Sequence, residues 1–377
     1  MQKFPLKLEK RLEKRKLENS YRQLSDFGEG VDFYSNDYLG FAKSQELAQN
    51  TQKILSKHNF PLNGATGSRL LSGNHPLFQL CEAYLCKFHQ ADAALIFNSG
   101  YDANIGFFGA FPQRGDLIFY DELAHASIRD GIKMSDAISY KFKHNDLEDL
   151  AEKIVRRKKA GNTIYIVTEA VFSMDGDIPP LNQLSEYAQE NGYYLIVDEA
   201  HATGVIGKTG KGLVQDLNLE QSIFARIHTF GKAMGCHGAV ILGSSQLKNY
   251  LINFCRSFIY TTSLPPHSVA AIMAAYQSLE KDTAPVNRLK ENIRFFKQEV
   301  SARKLNSKFV ESPSAIQSCI IPGNQEVKDL AKRLEKEGFL VKPILSPTVP
   351  KGSERLRICL HSYNTEDEII KLLTYLK

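Results

Sequence analysis

Apolar residues recur along this chain in two rhythms. Between about residues 94 and 243, short and nearly continuous apolar runs alternate with longer stretches whose apolar positions return every three to four residues. The runs "ALIFN" (94–98), "LIFY" (117–120), "TIYIVTEA" (163–170), "YYLIVDEA" (193–200), "ARIHTF" (225–230) and "AVILG" (239–243) predict strands. "HPLFQLCEAYLCKF" (75–88), "HASIRDGIKMS" (125–135) and "PLNQLSEYAQENG" (180–192) predict helices between them. Strands that are apolar on both faces and alternate with helices predict an α/β fold, a mostly parallel sheet covered on two sides. Polar residues collect just after the strand ends, which is where open α/β sheets bind ligands.

Beyond about residue 285 the rhythm changes. A charged helical stretch (286–303) leads to strand-like "SCIIPG" (318–323), a helix (325–337), "FLVKP" (339–343), "RLRICL" (355–360) and a last helix (365–376). This predicts a small α+β domain at 286–377, a large domain at 45–285, and an N-terminal helix with an entry segment at 1–44. The helix comes from "KLEKRLEKRK" (7–16), where acidic and basic residues alternate around Leu6, Leu8, Leu12 and Leu17. It reads as a solvated amphipathic helix that packs on the small domain or on a partner subunit.

Composition narrows the class. The 377 residues carry a formal net charge of +5, much of it in that first helix, with no run of like charge; this excludes a nucleic-acid arm. No apolar window approaches the ~18 residues of a membrane span, and no signal-peptide core opens the chain. The six cysteines form no CxxC pair and the ten histidines no HxxxH pair, so no metal site is expected. The cysteines read as reduced thiols of a cytoplasmic protein.

Two segments carry candidate chemistry. In "YYLIVDEAHATG", Asp198 ends an apolar strand, with His201 three residues on. "DEAH" followed by "ATGVIGKT" also resembles the parts of an ATPase, but in the wrong order: a phosphate loop precedes its metal-binding carboxylate and opens a helix, which Gly210 and Gly212 oppose here. In "HTFGKAMGCHGA", Lys232 stands among small residues that let a large flat group come close. Asp198 and Lys232 lie one strand–helix–strand unit apart, so both fall at the same sheet edge. A lysine that binds an aldehyde covalently and a carboxylate that keeps a pyridine nitrogen protonated are what pyridoxal 5'-phosphate (PLP) requires. "NSGYDAN" (98–104) follows a strand and opens a helix, so N–H groups at Ser99, Gly100 and Tyr101 would face a phosphate, and Thr229 adds a hydroxyl. "DELAHAS" (121–127) offers His125 to stack on the ring.

"SNDYLGFA", "FNSGYDAN", "DELAHASI", "TEAVFSMDGDIPPL", "IVDEAHATGVIGKTGKG" and "HTFGKAMGCHGA", in that order along the chain, resemble the α-oxoamine synthases from about Arg22 to the C-terminus. The resemblance implies a homodimeric fold-type-I PLP enzyme of the aspartate-aminotransferase type, with a large, mostly parallel seven-stranded sheet. It implies decarboxylative condensation of an amino acid with an acyl thioester, of coenzyme A or of an acyl carrier protein. It makes Lys232 the covalent anchor and Asp198 the pyridine-nitrogen partner. His125 stacks on the ring, His201 and Ser173 bond its oxygen region, and Gly100, Tyr101 and Thr229 hold the phosphate. Arg357 binds the amino-acid carboxylate, with Arg355 ranked second. Asn36 and Arg22 line the substrate entrance, Arg22 toward an acyl-chain carboxylate, and Thr348 touches the substrate. "SPTVPKGSERLRICL" (346–360) is similar to the branch that joins L-alanine to a pimeloyl thioester. "NGATGSRLLSGNH" (63–75) departs from the GSGGSG form seen in part of that branch, so glycine- and serine-using branches stay open.

Overall fold

Each of the six central apolar runs forms a strand in the computed structural model, which describes residues 4–24, 28–60 and 62–376. The strands are β1 (Val31–Phe33), β2 (Ala93–Phe97), β3 (Leu117–Asp121), β4 (Ile138–Phe142), β5 (Ile164–Glu169), β6 (Tyr194–Asp198), β7 (Ala225–Thr229), β8 (Ala239–Gly243), β9 (Ile316–Ile320), β10 (Phe339–Ile344) and β11 (Arg355–Cys359). Strands β2 to β8 make one seven-stranded sheet in the order β2-β8-β7-β6-β5-β3-β4. Only β8 runs against the rest. The chain is thus an α/β protein with the large, mostly parallel sheet of fold-type-I enzymes.

Apolar side chains on both strand faces explain this sheet. On one face Phe97, Ile118, Val167, Ile196, Ile227 and Ile241 pack with Phe107, Phe108, Ile128 and Leu251 of the covering helices. The alternate residues Ile96, Phe119, Ile166, Val197 and Leu242 are equally buried on the other. β4 was not legible as a strand, because "ISYKF" lies at the sheet edge with Ile138 exposed and lacks a continuous apolar run.

The remaining strands form a four-stranded sheet, β1-β10-β11-β9. Its first member is the three-residue β1, which pairs in parallel with β10 and lies in a stretch read from sequence only as an entry segment. The chain divides into two compact units. One comprises Met1–Ser35, Met174–Gly176 and Lys290–Lys377; the other comprises Asn36–Ser173 and Asp177–Leu289. The amphipathic N-terminal helix, Leu6–Leu17, belongs to the first unit and buries none of its residues. Among the described residues no helix is long and apolar enough to cross a membrane. All six cysteines are free thiols.

Candidate active site

Strands β2, β3, β5, β6 and β7 all end at the same edge of the large sheet, and each hands over to a loop bearing a polar residue singled out in the sequence. Ser99 follows β2, His125 follows β3, Ser173 follows β5, His201 follows β6, and Lys232 follows β7.

Asp198 closes β6 and is only 5% exposed. Its Oδ1 accepts from the N–H of Ala200 at 2.9 Å and its Oδ2 from Asn104 Nδ2, also at 2.9 Å. Both donors are neutral. A buried carboxylate with neutral donors alone carries a desolvation cost that a cation would offset. A protonated pyridine nitrogen supplies that cation, so the site fits PLP at this end. Asn104 also donates to Ser127 Oγ at 3.0 Å, and that hydroxyl lies 2.7 Å from His125 Nδ1. The N–H of Ser127 donates to the same Nδ1 at 3.2 Å, which makes His125 the N-cap of helix Ala126–Met134. Burial lowers the His125 pKa; Asp198 opposes this and Lys232 adds to it. Neutral His125 therefore accepts at Nδ1 and carries its proton on Nε2. His125 is exposed, which leaves room for a group stacked on its ring.

Sequence reasoning overlooked Asn104 and Glu169, although both lie inside quoted motifs. Asn104 is the buried polar residue one helical turn past Gly100, in a helix whose neighbouring inward positions are Ala103 and Phe107. Glu169 ends β5 directly beside Asp198 in the parallel register. It is 2% exposed and its Oε1 accepts from the N–H of His125 at 2.5 Å. Burial, and then the neighbouring Asp198, push its pKa well above the carboxylate range, against the pull of Lys232. Burial beside Asp198 thus favours the protonated form of Glu169.

The charges of Asp198 and Lys232 both act on His125 and on Glu169, so the two lie on the same side of this edge. Lys232 is half-buried and starts the hairpin turn between β7 and β8, closed by Gly235 N–H donating to the Lys232 carbonyl at 2.8 Å. Some of the small residues around it have protein occupants. A Cβ on Gly235, at φ +61°, would collide with the backbone of Phe41 and Ala42, and one on Gly204 would strike Ala233. Packing accounts for Gly235 and Ala233, whereas Gly231, next to Lys232, is exposed with only the Cys236 carbonyl at 3.7 Å from a Cβ placed there.

At the phosphate end, helix Gly100–Ala110 is capped by Ser99, whose Oγ accepts from the N–H of Asp102 at 3.0 Å. Gly100 and Tyr101 are the first-turn N–H groups this cap does not use. A Cβ on Gly100 would stand 3.3 Å from Thr229 Oγ1, so the helix start and that hydroxyl adjoin each other. The Tyr101 side chain points outward, its hydroxyl donating to Asp130 at 3.1 Å. His201 is buried, with Nδ1 2.8 Å from the Tyr38 hydroxyl, which itself donates to Asn36 Oδ1 at 3.0 Å. Ser173 is half-buried.

Behind these loops His144 lies between two carboxylates. Its Nδ1 is 2.9 Å from Asp121 and its Nε2 2.6 Å from Asp177, while its ring meets Phe172 edge-on at 4.5 Å. Asn145 adds bonds to Asp121 and Asp177, both at 2.9 Å. Burial opposes the charge on His144, but bonds to Asp121 and Asp177 outweigh it and raise the pKa to about 9. This imidazolium ties together the loops that follow β3, β4 and β5.

The other unit holds the remaining predicted substrate residues. Arg357 lies on β11, is 6% exposed, and donates from Nη1 to Cys359 Sγ at 2.9 Å. Arg355, two residues away, spends its guanidinium on Asp175 and on the Ser353 carbonyl. A protein carboxylate thus occupies Arg355, the one ranked second. Arg22 Nη2 reaches Thr348 Oγ1 at a long 3.5 Å.

Residues 29–376 match the family model described as aminotransferase class I and II. The chain is 40% identical over 371 residues to 8-amino-7-oxononanoate synthase of Emericella nidulans, covering 91% of this chain and 87% of that one. It superposes on a solved 8-amino-7-oxononanoate synthase from Francisella tularensis with a TM-score of 0.77, 31% identity, and coverage of 92% and 96%. A high-resolution structure of serine palmitoyltransferase (SPT) with PLP matches with a TM-score of 0.85, 28% identity, and coverage of 92% and 86%.

Proposed function

Because the chain belongs to the α-oxoamine synthase branch of the class I and II aminotransferases, PLP-dependent acyltransferases, we propose that it joins L-alanine to a pimeloyl thioester. The products are 8-amino-7-oxononanoate, CO₂ and the free thiol of coenzyme A or of a carrier protein, a step of biotin synthesis. The observation that carries this reading is the 40% identity spread over nine-tenths of the chain. We further propose that it works as a cytoplasmic homodimer; the exposed Leu70, Leu71 and Tyr260 suit a subunit contact.

PLP, when bound, supplies an aldehyde for covalent attachment and an electron-withdrawing ring that stabilises negative charge on a substrate carbon. The chain's own residues do the rest. Lys232 Nζ would hold the aldehyde carbon, and its amine, when free, would serve as the base for the substrate Cα proton. Asp198 would face the pyridine nitrogen, and Asn104 and the Ala200 N–H hold its carboxylate in place. His125 covers the ring with a neutral imidazole. Ser173 and His201 bond its oxygen region, and Gly100, Tyr101 and Thr229 hold the phosphate. Arg357 receives the amino-acid carboxylate as a bidentate fork. Asn36, Arg22 and Thr348 receive the acyl partner.

A thiol-release assay tests the reading, with alanine, glycine and serine offered against acetyl, succinyl, pimeloyl and palmitoyl thioesters. Preference for alanine with pimeloyl thioester is expected; preference for serine with palmitoyl thioester would assign the chain to the SPT activity of its structural neighbours. Lys232→Ala should abolish the visible band that borohydride bleaches, and a retained band would move the anchor elsewhere.

A further inference from the structure

Tyr38 is completely buried, and its hydroxyl stands between two residues of the proposed site. It lies 3.0 Å from Asn36 Oδ1 and 2.8 Å from His201 Nδ1. The two rings are tilted by 50° with centroids 6.2 Å apart, so they meet through the hydroxyl rather than by stacking. A phenol has one proton to give, and an amide oxygen only accepts. The Tyr38 proton therefore goes to Asn36, and His201 approaches the phenol oxygen as the donor. We propose that Tyr38 is a positioning residue that keeps Nδ1 of His201 protonated, makes Nε2 the atom at which His201 gains and loses a proton, and couples that choice to Asn36.

The consequence is electrostatic. With its Nδ1 proton held, neutral His201 offers a lone pair at Nε2 and suits a ring hydroxyl. As imidazolium it offers an Nε2 proton and suits a ring oxyanion. The Tyr38 oxygen accepts from Nδ1 in both states, so the ring need not turn when its charge changes. Asn36 fixes the phenol proton, which sets the side chain at the acyl entrance and the side chain at the ring oxygen in one hydrogen-bonded line. Phenylalanine would fill the same buried space without a hydroxyl to satisfy; a buried hydroxyl is retained at a cost unless it is bonded. The inference rests on the reading of His201 as the partner of the cofactor's ring oxygen.

The test uses PLP-loaded enzyme labelled with ¹⁵N in its histidine rings. His201 should carry its proton on Nδ1 in the unaltered protein, and Tyr38→Phe should move the proton wholly or partly to Nε2. The visible band's pH midpoint should shift by about half a unit or more in Tyr38→Phe. Turnover should fall about tenfold, the effect of one hydrogen bond, with the amino-acid KM within about twofold. An unaltered enzyme whose His201 is bare at Nδ1 overturns the proposal. So does a Tyr38→Phe enzyme with unchanged pH midpoint and turnover. Should Tyr38→Phe not fold, the tautomer of the unaltered enzyme alone decides. His201→Asn with an unmoved pH midpoint would defeat the reading of His201 as ring-oxygen partner, and the tautomer measurement would still judge Tyr38.

Discussion

His144 should titrate far above an ordinary histidine. Its ring donates to Asp121 from one nitrogen and to Asp177 from the other, and only 23% of its side chain is exposed. The unfolded chain returns it to about 6.5, whereas the folded value is about 9. A pKa raised on folding means that the stabilisation is complete below about pH 6.5 and disappears as pH rises through 9. At about 1.4 kcal/mol per pH unit the difference amounts to about 3 kcal/mol at full strength. Solvent reaches part of the ring, and Glu122 and Lys143 lie nearby, so screening reduces this to about 1–2 kcal/mol. The direct assay follows the ¹³C and ¹H signals of the histidine rings with pH, using His144→Gln to assign the resonance. The expected midpoint is near 9, and Asp177→Asn should lower it by about one unit, the scale of a lost carboxylate partner. Between pH 8 and 10 the melting temperature of the unaltered protein should fall more steeply than that of His144→Gln. A midpoint near 6.5, or parallel melting curves for the two proteins, refutes the reasoning.

Three further outcomes are expected. Glu169→Gln keeps an acceptor for the His125 N–H and should leave kcat/KM at pH 7 within about twofold, whereas Glu169→Ala strands that N–H and should cost about 1–3 kcal/mol in stability; steady-state kinetics and thermal melts separate the two. Arg357→Ala should raise the amino-acid KM about 10- to 100-fold, the loss of a charged hydrogen-bond pair, while Arg355→Ala should leave KM close to unchanged and lower stability by about 3 kcal/mol through the orphaned Asp175. Asn104→Ala should weaken PLP binding about tenfold by removing one donor from Asp198, which a fluorescence titration of the PLP-free protein with added PLP would measure.

The large sheet was legible because its strands are buried on both faces, and such strands appear in sequence as apolar runs whatever their neighbours. β4 and β1 escaped because the first is an edge strand with alternate residues in solvent and the second is three residues paired with a segment far along the chain. Site residues showed where a polar side chain interrupts an apolar run: Asp198 after "YLIV" and Lys232 after the Ala225–Thr229 strand. Glu169 interrupts a run in the same way, but its meaning depends on register, since only the alignment of β5 with β6 sets it beside Asp198. Asn104 and Tyr38 act through bonds to residues far off in sequence, which local spacing does not encode. The pairing of Arg355 with Asp175 likewise joins residues far apart in sequence.

The pairing of Val31–Phe33 with Phe339–Val341 bears on how the protein is made. Every strand of the large sheet lies between residues 93 and 243 and can assemble before the last third of the chain has been made. Strand β1 has to wait for a partner that arrives about three hundred residues later, with its backbone edge unpaired in the meantime. At about 5–20 residues per second that wait is about 15–60 s, during which the open edge of β1 is a segment that chaperones and proteases can meet.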